Sequence, residues 1–500
     1  MLFLFCLLNL GCITFVTAQS NDCLKDFDYL VHKIKVDYPG YRDKVTPEKS
    51  HELQLLEEEL RSKIIQYPDS CGKCLRRYAS WFKDNHLRVG RIWPAGDAAG
   101  SKKNDRRLLE INEGKLKELM TVNSTPEGIW HSFRGDIAII KDSISGSYNG
   151  VSISYNQVEK NQIVFTLSRL KDGEYNMVSF PGYNDYYPVK GKASLRLNDR
   201  ILELHDDTRL VRKTNSSTFD DALWLSYIPE FPNGSNTYYV SRLISDSTFY
   251  IRIPSFADDR GEKEVRKHWA EITSTPNLII DIRNNSGGQD DHYQLLAGLL
   301  YTNPYQSKGV EWYATENNIK MYEEAIKNGD IKDGEEGIRW INSLLGEMKK
   351  TIGGFVIHPM MGADNTVKND TVYPCPKRIG IIINEGNASS AEQFLLAAKE
   401  SSKVILFGNS NTAGVLDYSN AIDENFPSNK YELTFPMTRS RRLPDHPIDN
   451  IGIPPDIYIP YPATKQLFDR LDQWVYFVKN YLEIMKKTKK VNGSAKQEMK

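Results

Sequence analysis

The stretch that decides the fold of this chain runs from Leu278 to Gly288 and reads Leu-Ile-Ile-Asp-Ile-Arg-Asn-Asn-Ser-Gly-Gly. Its first half is a continuous apolar run, which is typical of a parallel strand that is buried on both faces. A polar turn that ends in two glycines follows at once. Because ligands bind at the carboxyl ends of strands in open α/β sheets, this turn is a candidate site.

A second stretch repeats this arrangement later in the chain. It runs from Ile379 to Glu392 and reads Ile-Gly-Ile-Ile-Ile-Asn-Glu-Gly-Asn-Ala-Ser-Ser-Ala-Glu. An apolar strand again ends in a turn, and Ser389 stands where a helix is predicted to begin. The turn glycines Gly287 and Gly288 can offer backbone N–H groups to an anion, and the serine can offer a hydroxyl nucleophile. Together they are the minimum equipment of a serine acyl-transfer enzyme.

Each of these features also has a purely structural interpretation. Ser389 and Glu392 form an S-x-x-E capping box, in which the serine satisfies helix N–H groups. The glycine pair is equally consistent with a tight turn that needs positive φ. A nucleophile at a helix start is compatible with a cap, because the helix N-terminus and the Ser390 N–H would stabilise a developing oxyanion. The residues alone leave both interpretations open.

Composition excludes several function classes. The chain has 500 residues, of which 40% are hydrophobic, so two or three domains are expected. The formal net charge is -1, which provides no global basic field for nucleic acid or an anionic membrane. No P-loop, dinucleotide-binding or H-E-x-x-H pattern occurs. We therefore expect no cofactor, no metal and no nucleic-acid partner.

The N-terminus predicts export. Residues 1–18 are almost wholly apolar and end in Val16-Thr17-Ala18, a small-residue cleavage site, so they are predicted to be a signal peptide. No later stretch is long and apolar enough to span a bilayer. The protein is therefore expected to be periplasmic or extracellular.

Four cysteines follow the predicted signal peptide. Disulfides are permitted in an exported protein, and the Cys71-Gly72-Lys73-Cys74 segment has no second Cys or His pair that would complete a metal site. We therefore expect a structural disulfide that joins Cys23 to Cys71 or to Cys74.

The hydrophobic pattern divides the rest of the chain into four regions. Residues 19–95 have helical periodicity. Residues 96–240 contain short strand-like runs between turns, which suggest a small antiparallel barrel or sandwich. Residues 241–485 alternate strands and helices, which predicts a mostly parallel sheet, with an insertion of helices and loops at 305–372. The predicted helices of this region include Glu262–Ile272 and an amphipathic last helix that contains Leu467 and Leu471. Residues 486–500 are predicted to be a flexible basic tail.

A serine nucleophile needs a base, and histidine is the usual choice at neutral pH. His86 lies in Asp84-Asn85-His86, at the end of a predicted helix that contains Leu75, Tyr78 and Phe82. His446 lies in a loop of the α/β region. Sequence alone does not rank the two by their distance from Ser389.

Four ordered motifs occur at Asp281–Gly288, Asn387–Glu392, Gly408–Gly414 and Ile451–Asp456. They resemble those of the tail-specific, or C-terminal-processing, serine peptidases. The resemblance implies an α/β fold with a crotonase-like (ClpP-like) peptidase core, an N-terminal helical region and an inserted small antiparallel β domain. It also implies a peptide or unfolded protein as substrate. We recognise no PDZ domain in the strand-rich segment.

The resemblance also implies which residues act in the reaction. Ser389 matches the nucleophile, and the oxyanion donors would be the N–H groups of Gly287 or Gly288 and of Ser390. Where the processing branch has its lysine base, this chain has Val415. The chain is therefore more similar to the tricorn-protease-like branch, which uses a Ser–His–acid set.

In that branch the histidine comes from an upstream D-x-H element, which His86 matches. The acid precedes the closing motif, where this chain has Asp449, and Asp445 is the nearest competitor. This set predicts an exported serine endopeptidase or oligopeptidase. Two alternatives stay open: a catalytically inactive ligand- or peptide-binding protein on the same fold, and an esterase or other acyl hydrolase that uses the same residues.

Overall fold

A computed structural model gives the fold of the chain. The chain folds into two compact units. The leading residues 1–7, the basic tail 486–500, and Leu467 and Leu471 of the last predicted helix lie outside the described residues. The structure describes residues 8–92, 108–120, 125–132, 135–155, 158–180, 188–196, 199–204, 209–213, 239–331, 334–362, 364–459 and 474–484.

The first unit comprises Met1–Pro94, Pro304–Lys368 and Val415–Ile451. Leucine and isoleucine at helical spacing bury one face of its N-terminal helices, including Leu53, Leu60 and Ile64. Its helices are Leu8–Asp37, Tyr41–Lys44, Pro47–Gln66, Cys71–Trp81, Glu316–Asn328 and Gly334–Met348, with a 3-10 turn at Pro68–Ser70.

A five-stranded sheet packs against the N-terminal helices of this unit. The long strand Tyr431–Ser440 pairs antiparallel with three others, and its inward-facing Leu433, Phe435 and Met437 join the helical core. The strands are Arg88–Arg91, Val310–Tyr313, Phe355–Val356, Tyr418–Asn425 and Tyr431–Ser440, and a separate pair is formed by Tyr305–Lys308 and Asp364–Val367.

The second unit comprises Ala95–Asn303, Asn369–Gly414 and Gly452–Lys500. Eight antiparallel strands between residues 128 and 213 close into a barrel, and buried side chains such as Trp130, Phe165 and Leu167 fill its interior. The barrel strands are Gly128–Ser132, Gly135–Lys141, Tyr148–Ser152, Ile163–Lys171, Glu174–Ser179, Val189–Arg196, Ile201–Leu204 and Arg209–Lys213.

A six-stranded sheet forms the other part of this unit. Its first two strands are antiparallel and the rest run parallel, as the alternating strand and helix pattern predicts. In sheet order the strands are Val240–Ser245, Thr248–Arg252, Asn277–Asp281, Arg378–Ile383, Val404–Gly408 and Ile457–Tyr458. The helices of this unit are Glu113–Leu119, Arg260–Lys267, Trp269–Ser274, Gln294–Leu300, Ser390–Lys399 and 474–484, with a 3-10 turn at Asp290–Tyr293.

Buried apolar side chains explain why the central strands lie where they do. Leu278, Ile279 and Ile280 are fully buried, as expected for a strand covered on both faces. On the next strand a Cβ at Gly380 would lie 2.4 Å from the Val478 side chain. The helix over 474–484 therefore packs directly on this strand because a glycine stands there.

Two expectations about secondary structure need correction. The helix expected to run unbroken through Glu262–Ile272 is divided at His268, which leaves helical geometry and contacts both Glu264 and Glu271 through its ring. The insertion expected to contain helices and loops also contains four short strands. Trp312 and Tyr313 bury aromatic side chains there, which favours strand geometry.

The expected disulfide is confirmed and joins Cys23 to Cys71. It links the first helix to the fourth across 48 residues of sequence, and both sulfur-bearing residues are buried. Cys74 is a buried free thiol and Cys375 a half-buried one. Across the part of the chain that the structure describes, no helix is long and apolar enough to cross a membrane.

Removing the cross-link should destabilise the first unit. A Cys23→Ala/Cys71→Ala variant is expected to lose on the order of 2–4 kcal/mol of unfolding free energy, because the disulfide restricts a long loop in the unfolded chain. Urea unfolding under non-reducing conditions measures the loss, with Cys375→Ala as the matched control. Equal midpoints for the two variants would contradict the expectation.

Candidate active site

The two glycine-containing turns lie side by side in the second unit. Their strands, Asn277–Asp281 and Arg378–Ile383, are parallel neighbours with Leu278 opposite Ile379. Both strands therefore end at the same edge of the sheet, where polar residues follow each of them. The structure brings together the two features that the sequence singled out.

Asparagine side chains join the two turns. Asn384 donates to the Asn284 side chain at 2.7 Å and accepts from the Asn284 N–H at 2.9 Å. The buried Asn387 amide donates to the carbonyls of Ile282 and Asn285. Buried amides with this many partners hold a turn rigidly, because an unpaired buried polar group is costly.

Ser389 has a strained backbone at the start of the Ser390–Lys399 helix. Its φ is 55° and its ψ is −123°, a region that costs a residue other than glycine about 1–3 kcal/mol. A sharp strand-to-helix turn of this kind projects a nucleophilic serine in known hydrolases. The capping-box contact is also present, since the Ser389 N–H donates to Glu392 Oε2 at 3.2 Å. Cap and candidate nucleophile thus coexist at one residue.

Gly287 approaches this turn closely. A Cβ on Gly287 would lie 2.7 Å from the Ala388 carbonyl oxygen, 2.8 Å from the Ser390 nitrogen and 3.0 Å from the Ser389 Cβ. Its φ of 97° also favours glycine. The glycine is therefore required by space as well as by conformation.

The backbone N–H groups of the two turns differ in their availability. The Gly287 N–H already donates to Asn285 Oδ1 at 2.9 Å. Among the described residues, neither the exposed Gly288 N–H nor the first N–H of the helix, on Ser390, has an acceptor. The Ser390 hydroxyl donates to the Gly288 carbonyl at 2.9 Å and so fixes that peptide. Of the predicted donors, Gly288 and Ser390 are the pair that the geometry favours over Gly287.

Two buried carboxylates support the turns. Glu392 Oε1 accepts from the Thr412 hydroxyl at 2.5 Å and from the Gly414 N–H at 2.8 Å. Asp281 lies between Arg252 and Arg283, at 2.8 and 2.6 Å. Burial opposes the charge of Asp281, but the two guanidinium groups outweigh it and hold the pKa of that carboxyl well below its usual range.

His86 belongs to the first unit, in the turn between the Cys71–Trp81 helix and the Arg88–Arg91 strand. Its Nδ1 lies 2.6 Å from the Tyr418 carbonyl oxygen. Because a carbonyl only accepts, Nδ1 carries the proton and Nε2 has the free electron pair of a base. Burial lowers the pKa of the imidazole against the opposing effect of Asp84.

Asp84 fixes the backbone of this turn. Its Oδ1 accepts from the His86 N–H at 2.8 Å, and its Oδ2 accepts from the Tyr38 hydroxyl at 2.7 Å. The side chain is buried, and burial raises the pKa of this carboxyl. The acid of the D-x-H element therefore orients the main chain that carries the imidazole.

Asp449, the predicted acid, lies in the same unit but is not the hydrogen-bond partner of the imidazole. Its Oδ1 accepts from the N–H groups of Leu416 and Asp417, at 2.9 and 2.8 Å. The expected hydrogen bond from His86 Nδ1 to this carboxylate is replaced by the bond to Tyr418, because the carbonyl occupies that direction. Burial and the nearby Asp84 raise the pKa of Asp449.

The other candidates identified in the sequence lie at the surface. Asp445 and His446 are both exposed in the turn before Asp449, whose side chain is only 7% exposed. No group of three or more metal-ligating side chains occurs within the described ranges. The residues that sequence reasoning missed are Asn285, Asn387 and Tyr418. The two asparagines had a signal, since each lies in the polar turn that follows a buried strand, whereas the Tyr418 carbonyl had none.

Comparison with known proteins gives a match to one family model over part of the chain, and a fold. Residues 247–459 match the family model of peptidase family S41. The crystal structure of mature CPAF shares 14% identity with this chain at a TM-score of 0.52, over 94% of this chain and 97% of that one. At this identity the similarity shows a common fold.

Two further structures are similar at lower TM-scores. The photosystem II D1 C-terminal processing protease shares 12% identity at a TM-score of 0.36, over 88% of this chain and 92% of that one. The tricorn protease shares 13% identity at a TM-score of 0.40, over 93% of this chain and 37% of that one.

The close approach of Gly287 to the Ala388–Ser390 turn can be tested by adding a methyl group at Gly287. Gly287→Ala should force the two turns apart and slow covalent labelling of Ser389 by a fluorophosphonate probe roughly 100-fold. Gly329→Ala is the control, because Gly329 has a φ of 76° but no atom within 4 Å of an added Cβ. Labelling at the wild-type rate in a folded Gly287→Ala protein would show that the approach does not matter.

Proposed function

We propose that the protein is an exported serine peptidase that cleaves peptides or unfolded proteins as an endopeptidase or oligopeptidase, and the match of residues 247–459 to the model of peptidase family S41 supports this. Ser389 is the nucleophile, His86 the general base and Asp449 the acid of the set. The observation that carries the proposal is the strained, positive-φ backbone of Ser389 at the start of a helix, directly beside a glycine turn with a free N–H.

The proposed reaction follows the usual course of acyl transfer. His86 Nε2 takes the Ser389 proton as the hydroxyl oxygen attacks the scissile carbonyl carbon. The N–H groups of Gly288 and Ser390 stabilise the oxyanion. The imidazolium then gives its proton to the leaving amine, and a water molecule, activated by the same imidazole, hydrolyses the acyl-enzyme.

The roles of the groups around the imidazole differ in this proposal. The Tyr418 carbonyl fixes the tautomer and the ring direction through Nδ1. Asp449 acts through space, since its negative charge stabilises the imidazolium that forms during the reaction. A histidine also needs far less pKa adjustment than a lysine base would, and this is consistent with Val415 at the lysine position.

Export is part of the proposal because of the predicted signal peptide at residues 1–18. The Cys23–Cys71 disulfide supports it, since such bonds persist mainly in oxidising compartments. Cleavage of the signal after Ala18 would leave Gln19 as the first residue. The disulfide would then lie close to the new N-terminus and hold the first helix in place.

Ser389→Ala should abolish both peptide cleavage and fluorophosphonate labelling while the protein stays folded. The expected loss in kcat is at least about 10⁴-fold, as for removal of the nucleophile in other serine hydrolases. Ser402→Ala is the matched control, because the Ser402 side chain is exposed and lies outside the two turns. Labelling of Ser389→Ala at the wild-type level would exclude Ser389, and wild-type protein that never labels would favour the ligand-binding alternative.

The pH dependence of kcat/KM should reveal the general base. Activity requires neutral His86, so kcat/KM should fall as the pH drops through the pKa of its imidazole. Because burial lowers that pKa, the midpoint is expected below the ordinary value of about 6.5. Measurement of kcat/KM from pH 4 to 9 tests this, with His446→Ala as the control for a surface histidine. Full activity of His86→Ala would contradict the assignment.

A further inference from the structure

Lys44 lies beside the groups that hold His86, and the mechanism above gives it no role. It is the last residue of the Tyr41–Lys44 helix, and its side chain is 17% exposed. A lysine this far withdrawn from water loses side-chain entropy and hydration. Its contacts must therefore compensate for that loss.

The Lys44 ammonium makes three contacts within the first unit. It lies 3.9 Å from Asp449 Oδ2, donates to the Lys83 carbonyl at 3.4 Å, and stands 4.6 Å from the centroid of the Tyr418 ring. The last distance is that of a cation–π contact. One positive charge thus touches three separate segments of the chain.

Two of these segments, at Lys83 and Tyr418, hold the imidazole or the turn that carries it. The Lys83 carbonyl precedes the turn of Asp84 and His86, and the Asn450 side chain also donates to it, at 2.5 Å. Tyr418 provides the carbonyl that binds Nδ1. A displacement of the Lys44 ammonium would therefore move the backbone at Lys83 and Tyr418. Both backbone segments lie close to the imidazole of His86, so the imidazole would move with them.

The charges around Lys44 are mostly negative. Asp449 Oδ2 is buried and has no hydrogen-bond donor among the described residues, so the ammonium is its ion-pair partner. Asp84 and Asp417 face Asp449 from the neighbouring turns, and Asp43 accepts from the Tyr418 hydroxyl. Asp84, Tyr418 and the more distant Arg88 face His86. Without the ammonium, two buried carboxylates would face each other with less compensation.

We propose that Lys44 is a positioning residue for His86, whose ammonium joins Asp449, the Lys83 carbonyl and the Tyr418 ring into one support for the imidazole. The inference rests on the proposed function only for the role of His86 as base. The support itself belongs to the described structure of the first unit.

Kinetics test the proposal with three variants. Lys44→Met should lower kcat roughly 10- to 100-fold with KM changed by less than about twofold, because a displaced base affects chemistry and not binding. Lys44→Arg should restore most of kcat, because it keeps the charge and a donor. Lys49→Met, at an exposed lysine of the next helix, should match wild type.

The pH profile separates positioning from a loss of stability. Removing a cation favours the protonated forms of both Asp449 and His86, so the acid limb of kcat/KM should move to higher pH in Lys44→Met. If Lys44→Met is poorly folded by circular dichroism, Lys44→Gln replaces it. Unchanged kcat and an unchanged acid limb in a folded variant would overturn the proposal, as would a loss of activity that Lys44→Arg does not restore.

A titration without turnover distinguishes this proposal from the proposed function. In the Ser389→Ala background, histidine-labelled NMR spectra follow the His86 imidazole, which is assigned by comparison with His86→Gln. Its pKa should rise in Lys44→Met and stay constant in Lys49→Met. A shifted titration together with full activity of His86→Ala would support the Lys44 contact and refute the base assignment. An unshifted titration would overturn the Lys44 proposal.

Discussion

The contact between the Gly287 backbone and the Ala388–Ser390 turn is the constraint on which the rest of the candidate site depends. A single Cβ at this point would fall 2.7 Å from a carbonyl oxygen, so no other residue fits without moving one of the turns. The parallel register of the two strands brings the turns together, and the asparagine amides hold them there. The strained backbone of Ser389 persists because its surroundings fix it on every side.

The groups around His86 are arranged according to the same principle of fixing a reactive group through its backbone. Asp84 holds the main chain of the turn, and the Tyr418 carbonyl holds Nδ1, so Nε2 is left with its electron pair. Burial lowers the pKa of the imidazole, and the nearby Asp84 opposes that effect. Burial therefore favours the neutral imidazole in the resting state, and Asp84 favours the positively charged ring once it takes a proton.

The sequence predicted the features that depend on short-range patterns. Continuous apolar runs located the strands at Leu278 and Ile379, and the S-x-x-E pattern located the start of the helix at Ser390. It did not predict that Nδ1 of His86 binds the backbone carbonyl of Tyr418. Every residue type has a backbone carbonyl, so the residue type at position 418 carries no signal for this contact. The strands of the 305–372 insertion were missed because their partners lie far away in the chain, as in the pairing of Val310 with Ser440. Which turn N–H groups stay free also depends on tertiary contacts, here on the Asn285 side chain.

The central claim is that Ser389 becomes covalently bonded to the substrate carbonyl while the turn N–H groups hold the oxygen. A crystal structure of the protein with a peptide boronate, which mimics the tetrahedral intermediate, tests it most directly. The account predicts a bond from boron to Ser389 Oγ, with one boronate oxygen within hydrogen-bond distance of the Gly288 and Ser390 nitrogens. A boronate that inhibits peptide cleavage while bonded to another residue, or bound without any bond to Ser389, would contradict it.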